Sequence, residues 1–126
     1  MSPPGRPKGE YRSAQHEGTP VSRVIPLCLT DEVWEGAVVA AALPDGHKLA
    51  LYQVEGEFFA TDDTCTHGAA SLSEDGCIEG HVVECGWHNG RFDIRSGQAC
   101  AMPCSTALKT WPVRVVDGWV CVIVAE

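Results

Sequence analysis

The sequence predicts an all-β, antiparallel fold. Three observations carry that prediction. Short apolar runs rich in Val, Ile and Leu alternate with turn signals at close spacing, among them Pro44-Asp45-Gly46, Glu55-Gly56 and Asp117-Gly118. Room for a helix is scarce, with Leu29 to Gly36 offering a single turn. Two small loops, Cys65-Thr66-His67-Gly68 and Cys85-Gly86-Trp87-His88, interrupt the strand pattern and carry the chemistry.

Residues 1–22 hold Pro3, Pro4, Pro7, Gly5, Gly9 and Gly18 and lack apolar periodicity. They read as a flexible N-terminal extension with no core to bury. The folded domain is expected over 23–126. Val24 to Cys28 is a first strand or an edge. A helical turn follows, with Thr30-Asp31 placed to cap it and Gly36 to end it. Ala37 to Ala42 is a strand closed by the Pro44-Asp45-Gly46 turn. Lys48 to Val54 and Glu57 to Thr61 form a hairpin about Glu55-Gly56, and the second strand runs into the first Cys/His loop. Asp75-Gly76 marks a turn, and Val82-Val83 lead as a strand into Cys85. Asn89-Gly90 turns the chain into a strand from Arg91 to Ile94, and Ser96-Gly97 turns it again. Thr110 to Val116 and Trp119 to Val124 are the last hairpin. The expected architecture is an antiparallel β-sandwich base of N- and C-terminal strands. A smaller loop-bearing subdomain, at about 62–104, is inserted into it.

The 126 residues suffice for one domain with its own core, and 44% apolar with 21% charged residues is ordinary for a globular chain. No apolar run approaches the roughly 18 residues of a spanning helix, and the N-terminus lacks an apolar signal core. The net charge is −8, divided as +2 over residues 1–23 and −10 over 24–126. An acidic body with no basic stripe argues against nucleic acid as a partner and suits proteins with basic patches.

The two loops follow the pattern C-x-H…C-x₂-H, each offering one sulfur and one nitrogen. Such a set can hold a tetrahedral zinc, or a [2Fe–2S] cluster in which two histidines replace two cysteines on one iron. Zinc fingers usually pair ligands by type, two cysteines on one arm and two histidines on the other. Mixed arms suit two irons, since each loop can give sulfur to one and nitrogen to the other. Seven cysteines leave five after Cys65 and Cys85, an odd remainder that points to a reducing cytoplasm. Cys28 and Cys121 lie in apolar strand patterns and are expected in the core, and Cys104 follows Pro103 near the end of the inserted region. His81 reads as a surface histidine, and neither His16 nor His47 has neighbours that suggest a site.

The run Cys65-Thr66-His67-Gly68-Ala69-Ala70-Ser71-Leu72, the run Cys85-Gly86-Trp87-His88-Asn89-Gly90-Arg91-Phe92-Asp93, Gly97 and Pro103 together resemble the Rieske family. Within it, the chain is similar to the Rieske-type [2Fe-2S] ferredoxins of bacterial aromatic-ring-hydroxylating dioxygenase systems, over about 100 residues from Ile25 to Val124. The resemblance implies a Rieske fold, with Cys65 and Cys85 on the inner iron and His67 and His88 on the outer one. It also implies a third loop at Pro103 that covers the cluster. Its implied function is a soluble, cytoplasmic carrier with no catalytic centre of its own. Single electrons would pass from a flavin-dependent NAD(P)H ferredoxin reductase to a terminal oxygenase. The remaining alternatives are a small Rieske subunit of another oxidoreductase, nitrite reductase-like, and a structural zinc module. The acidic run Glu74, Asp75, Glu79 and Glu84 near the loops is a candidate docking face.

Departures from the family pattern carry information too. Proline usually follows the second cysteine; Gly86 stands here and should leave that loop freer. High-potential respiratory members add a cysteine to each loop, where this chain has Ala70 and Trp87, and a serine hydroxyl where it has Gly90. Fewer hydrogen bonds to the cluster sulfurs leave the reduced charge less stabilised. A redox titration is therefore expected to give a midpoint near the low end of the Rieske range, about −150 mV, and a clearly positive midpoint would reject that reading.

Overall fold

The computed structural model describes residues 11–13, 22–66, 70–86, 90–101 and 106–125. In chain order the strands are β1 (Tyr11–Ser13), β2 (Ser22–Leu29), β3 (Val38–Ala42), β4 (Lys48–Val54), β5 (Glu57–Asp62), β6 (Cys77–Glu79), β7 (Val82–Glu84), β8 (Arg91–Asp93), β9 (Ala99–Ala101), β10 (Thr110–Trp111), β11 (Val113–Val116) and β12 (Trp119–Ala125). A 3-10 turn, Thr30–Glu32, fills the place where a helical turn was expected, and the one-turn helix α1 (Leu72–Asp75) follows the first Cys/His loop. The strands form three four-stranded antiparallel sheets, in the orders β1-β2-β12-β11, β10-β5-β4-β3 and β6-β7-β8-β9.

The sheet β10-β5-β4-β3 is the middle layer, and β4 shows why. Side chains alternate across a strand, so a strand buried on both faces is nearly continuously apolar. Leu49 and Leu51 of β4 pack with Ile25, Cys28, Val120 and Val122 of the first sheet. Ala50, Tyr52 and Val54 face the other way, onto Val83, Phe92 and Ile94 of the third sheet region and the two Cys/His loops. Leu49, Ala50, Leu51 and Tyr52 are all fully buried. The first two sheets make the expected sandwich, and the third closes over the far face of the middle one.

The tight hairpins form where the turn pairs stand. Glu55 and Gly56 have φ of 53° and 81°, and Asp117 and Gly118 have 50° and 82°. Positive φ at both central residues is the type I′ geometry, whose twist matches that of the strands it joins. Val54 accordingly pairs with Glu57, and Val116 with Trp119.

The first sheet departs from expectation at its start. β2 is neither first nor an edge: β1 pairs along Ser22–Val24 on one side and β12 on the other. Residues 11–13 belong to the segment expected to be extended and flexible. A three-residue strand is too short to show apolar alternation, so no periodic signal marked it. Pro26 is tolerated inside β2 beside the register shift between Val120 and Cys121. Cys28 and Cys121 lie in the core as expected. Burial, with Glu32 and Cys121 adding, pushes the Cys28 thiol up to about 11, so it packs as a small neutral hydrophobe.

One polar pair is sealed in the middle layer. The Tyr52 hydroxyl lies 2.8 Å from Thr61 Oγ1, and both residues have 0% exposure. Thr61 donates its own proton to the Asp62 carbonyl at 2.9 Å, so Tyr52 is the donor of the pair. Tyr52→Phe is expected to lower stability by about 1 kcal/mol, visible as a reduced melting temperature; an unchanged melting temperature would show the bond contributes nothing.

Candidate metal centre

Both Cys/His loops are built the same way. β5 ends at Asp62, and the first loop closes where Thr64 bridges Ser71 and the Cys65 amide donates to the Ala70 carbonyl at 2.9 Å. The second loop closes where Glu84 pairs with Arg91 and the Cys85 amide donates to the Gly90 carbonyl at 2.7 Å. Each cysteine thus stands at the root of a tight hairpin, its backbone fixed by the residue that ends the loop.

The two cysteines come together in one buried cluster with Ala70, Leu72, Val83, Phe92, Ile94 and Leu108, and each is 2% exposed. His67 and His88 lie outside the described residues, as do Trp87, Pro103 and Cys104. The donor set present fits a metal cluster. A thiolate sealed among aliphatic side chains carries an uncompensated charge unless a cation holds it. Two such thiols lie in one apolar cluster, and in the sequence a histidine follows each two or three residues on.

Several residues around the loops escaped sequence reasoning. Asp63, between β5 and Cys65, is 4% exposed. Its Oδ2 accepts from Ser71 Oγ at 2.6 Å and its Oδ1 from the Ser73 amide at 2.8 Å. Ser71 in turn caps α1, accepting from the Glu74 amide at 3.3 Å. Asp62 Oδ1 takes two partners, His47 Nε2 at 2.8 Å and the Trp111 indole N–H at 2.9 Å. His47 therefore has the company its sequence neighbourhood hid, drawn from the end of β5 and from β10. Thr66 Oγ1 donates to the Thr106 carbonyl at 2.9 Å, tying the first loop to the chain beyond the third. A surface carboxylate or serine in a loop carries no periodic or motif signal, and only the fold brings these partners together.

Gly86 has a use beyond the conformational freedom expected of it: it packs so closely on α1 that a Cβ there would overlap the Asp75 carbonyl oxygen. Gly76 is similarly confined, 2.6 Å from the Leu72 carbonyl oxygen and 3.2 Å from that of Glu84 at its Cβ position. Glycine at 86 reflects lack of room.

The acidic run does not form one face. Glu79 and Glu84 border a cleft of about 310 Å³ on the outside of the third sheet, with Cys77, Val82, Arg91 and Cys100. Glu84 lies 3.7 Å from Arg91 there, an exposed pair of small energetic weight. Glu74 borders a different cleft, beside Asp63, Ser71 and Ser73. His81 sits at the β6–β7 turn, its ring edge-on to Phe59 with centroids 5.6 Å apart.

Comparison with known proteins agrees with this arrangement. Residues 23–112 match the family described as the Rieske [2Fe-2S] domain. The chain is 58% identical over 102 residues to the ferredoxin component of the p-cumate 2,3-dioxygenase system of Pseudomonas putida, covering 81% of this chain and 86% of that protein. Its fold is similar to the solved ferredoxin of Sphingomonas yanoikuyae B1, with TM-score 0.74 and 45% identity over 78% of this chain and 95% of the other. It is also similar to a chain in the complex of reduced oxygenase and oxidized ferredoxin in carbazole 1,9a-dioxygenase, with TM-score 0.73 and 37% identity over 79% and 91% of the two chains. Hairpin-rooted cysteines, layered antiparallel sheets and sequence identity on this scale lead to one assignment: the chain belongs to the Rieske [2Fe-2S] family.

Proposed function

We propose that this chain is a Rieske ferredoxin that delivers single electrons to a terminal aromatic-ring-hydroxylating oxygenase. The observation that carries the reading is the burial of Cys65 and Cys85 in one cluster, each at the root of a loop that also bears a histidine. The relative from the p-cumate system is named as a ferredoxin component, and the carbazole complex joins a ferredoxin to an oxygenase. The electron-carrying component of such a system needs no catalytic centre of its own.

In this reading Cys65 and Cys85 hold the inner iron, His67 and His88 hold the outer one, and the cluster-binding subdomain spans about 62–104. The bound cluster supplies one-electron chemistry. Two thiolates and two neutral imidazoles cancel the two positive charges of the oxidised core, so an added electron meets a neutral site rather than an already negative one. The loop roots hold the sulfurs away from water, and the histidines would provide the face toward a partner. The electron source is a flavin-dependent NAD(P)H reductase. Among the described residues no helix is long and apolar enough to cross a membrane. A reducing cytoplasm suits the five cysteines outside the ligand set.

The test is rapid mixing. Anaerobically purified chain, reduced by NADH through a flavin reductase, is expected to take up one electron per molecule and to lose it on mixing with a ring-hydroxylating terminal oxygenase. The rate should fall as ionic strength rises, because salt screens the docking of an acidic body. A chain that stays reduced in the presence of the oxygenase would overturn the proposal.

A further inference from the structure

The first loop is fastened by a carboxylate whose position has a consequence for the second. Asp63 is a buried charged residue beside the ligand loops, and every polar group on it is engaged. Its amide donates to the Lys48 carbonyl at 3.2 Å, at the start of β4, and its own carbonyl accepts from the Leu72 amide at 2.8 Å. Its two carboxylate oxygens take Ser71 Oγ and the Ser73 amide. One residue thereby joins the middle sheet to both ends of the loop that carries Cys65 and His67. The Ser71 proton is spent on Asp63, which turns the serine lone pair toward the Glu74 amide and sets the cap of α1.

α1 is a single turn, too short to bend, and its far end abuts the second loop. The Asp75 carbonyl fills the space a side chain at Gly86 would need, and Gly76 is confined between Leu72 and Glu84. Gly86 follows Cys85 directly and Glu84 precedes it. A continuous line of contacts therefore runs from β4 through Asp63, Ser71 and α1 to the root of the second loop. We propose that Asp63 is a positioning residue: with α1 as spacer and Gly86 as the far contact, it sets the separation of the two ligand loops and so the geometry imposed on the cluster. The inference rests on the reading that Cys65 and Cys85 ligate that cluster.

A carboxylate suits the role because it accepts twice, from a hydroxyl and a backbone amide. Asparagine at 63 can keep both contacts, since its oxygen accepts from the Ser73 amide and its NH₂ donates to Ser71 Oγ. Alanine keeps neither. The geometry, not the charge, is what the brace requires.

The test uses the full chain purified anaerobically as wild type, Asp63→Ala, Asp63→Asn, Ser71→Ala and Gly86→Ala. Three quantities are read: iron and sulfide per chain, the g-values of the dithionite-reduced protein, and the rate of iron loss to a chelator. Asp63→Ala and Gly86→Ala are expected to shift the g-values and to lose iron several-fold faster than wild type. Ser71→Ala should fall between, and Asp63→Asn should behave as wild type. Wild-type g-values and iron loss in Asp63→Ala would overturn the proposal, as would Asp63→Asn behaving like Asp63→Ala. Should Asp63→Ala fail to fold, Ser71→Ala carries the comparison, and wild-type behaviour there overturns the proposal equally. Absence of iron and sulfide from the wild type would instead remove the cluster reading itself.

Discussion

Two thiols are sealed in the same apolar pocket, and that single constraint organises the molecule. In the proposed reading both serve as thiolates, which are costly to bury unless a metal holds them. Each cysteine is anchored by its backbone, through a hydrogen bond from its amide to the carbonyl that closes its loop. The proposed ligand set of two thiolates and two imidazoles would give a neutral oxidised site, and a neutral site accepts an electron at less Coulomb cost than a four-thiolate one.

The layering serves the same end. β4 is buried on both faces, so the middle sheet is a rigid plate with the first sheet on one side and the loop-bearing third sheet on the other. β5 leaves that plate at Asp62, where His47 and Trp111 converge on one carboxylate oxygen, and Asp63 then fixes the loop that follows. The plate thus passes its order to the first loop, and α1 carries it across to the second. Small loops on rigid elements hold ligand geometry better than long free ones.

Much of this was legible in the sequence, for identifiable reasons. Turn pairs such as Glu55-Gly56 and Asp117-Gly118 announce positive φ locally, so those turns could be placed to the residue, whereas the strand expected over Thr110 to Val116 divides at Pro112 into β10 and β11, which join different sheets. The mixed Cys/His motif is local too. Contacts between distant segments were not legible. His47 seemed isolated because its partners are residues 62 and 111, and Asp63 looked like any loop acid because Ser71 and Ser73 reach it only in the fold. Gly86's second use, its lack of a side chain against α1, shows only in the packing. β1 gave no sign because three residues are too few for a pattern.

The central claim is that two sulfurs from Cys65 and Cys85 and two imidazole nitrogens from His67 and His88 hold a pair of irons. Pulsed electron spin resonance on the reduced protein tests it most directly, since ligand nitrogens couple to the unpaired electron. The account predicts two strongly coupled histidine nitrogens on a centre with two irons and two sulfides per chain. A folded, colourless chain carrying zinc and no sulfide, or an iron centre with no coupled histidine nitrogen, would contradict it.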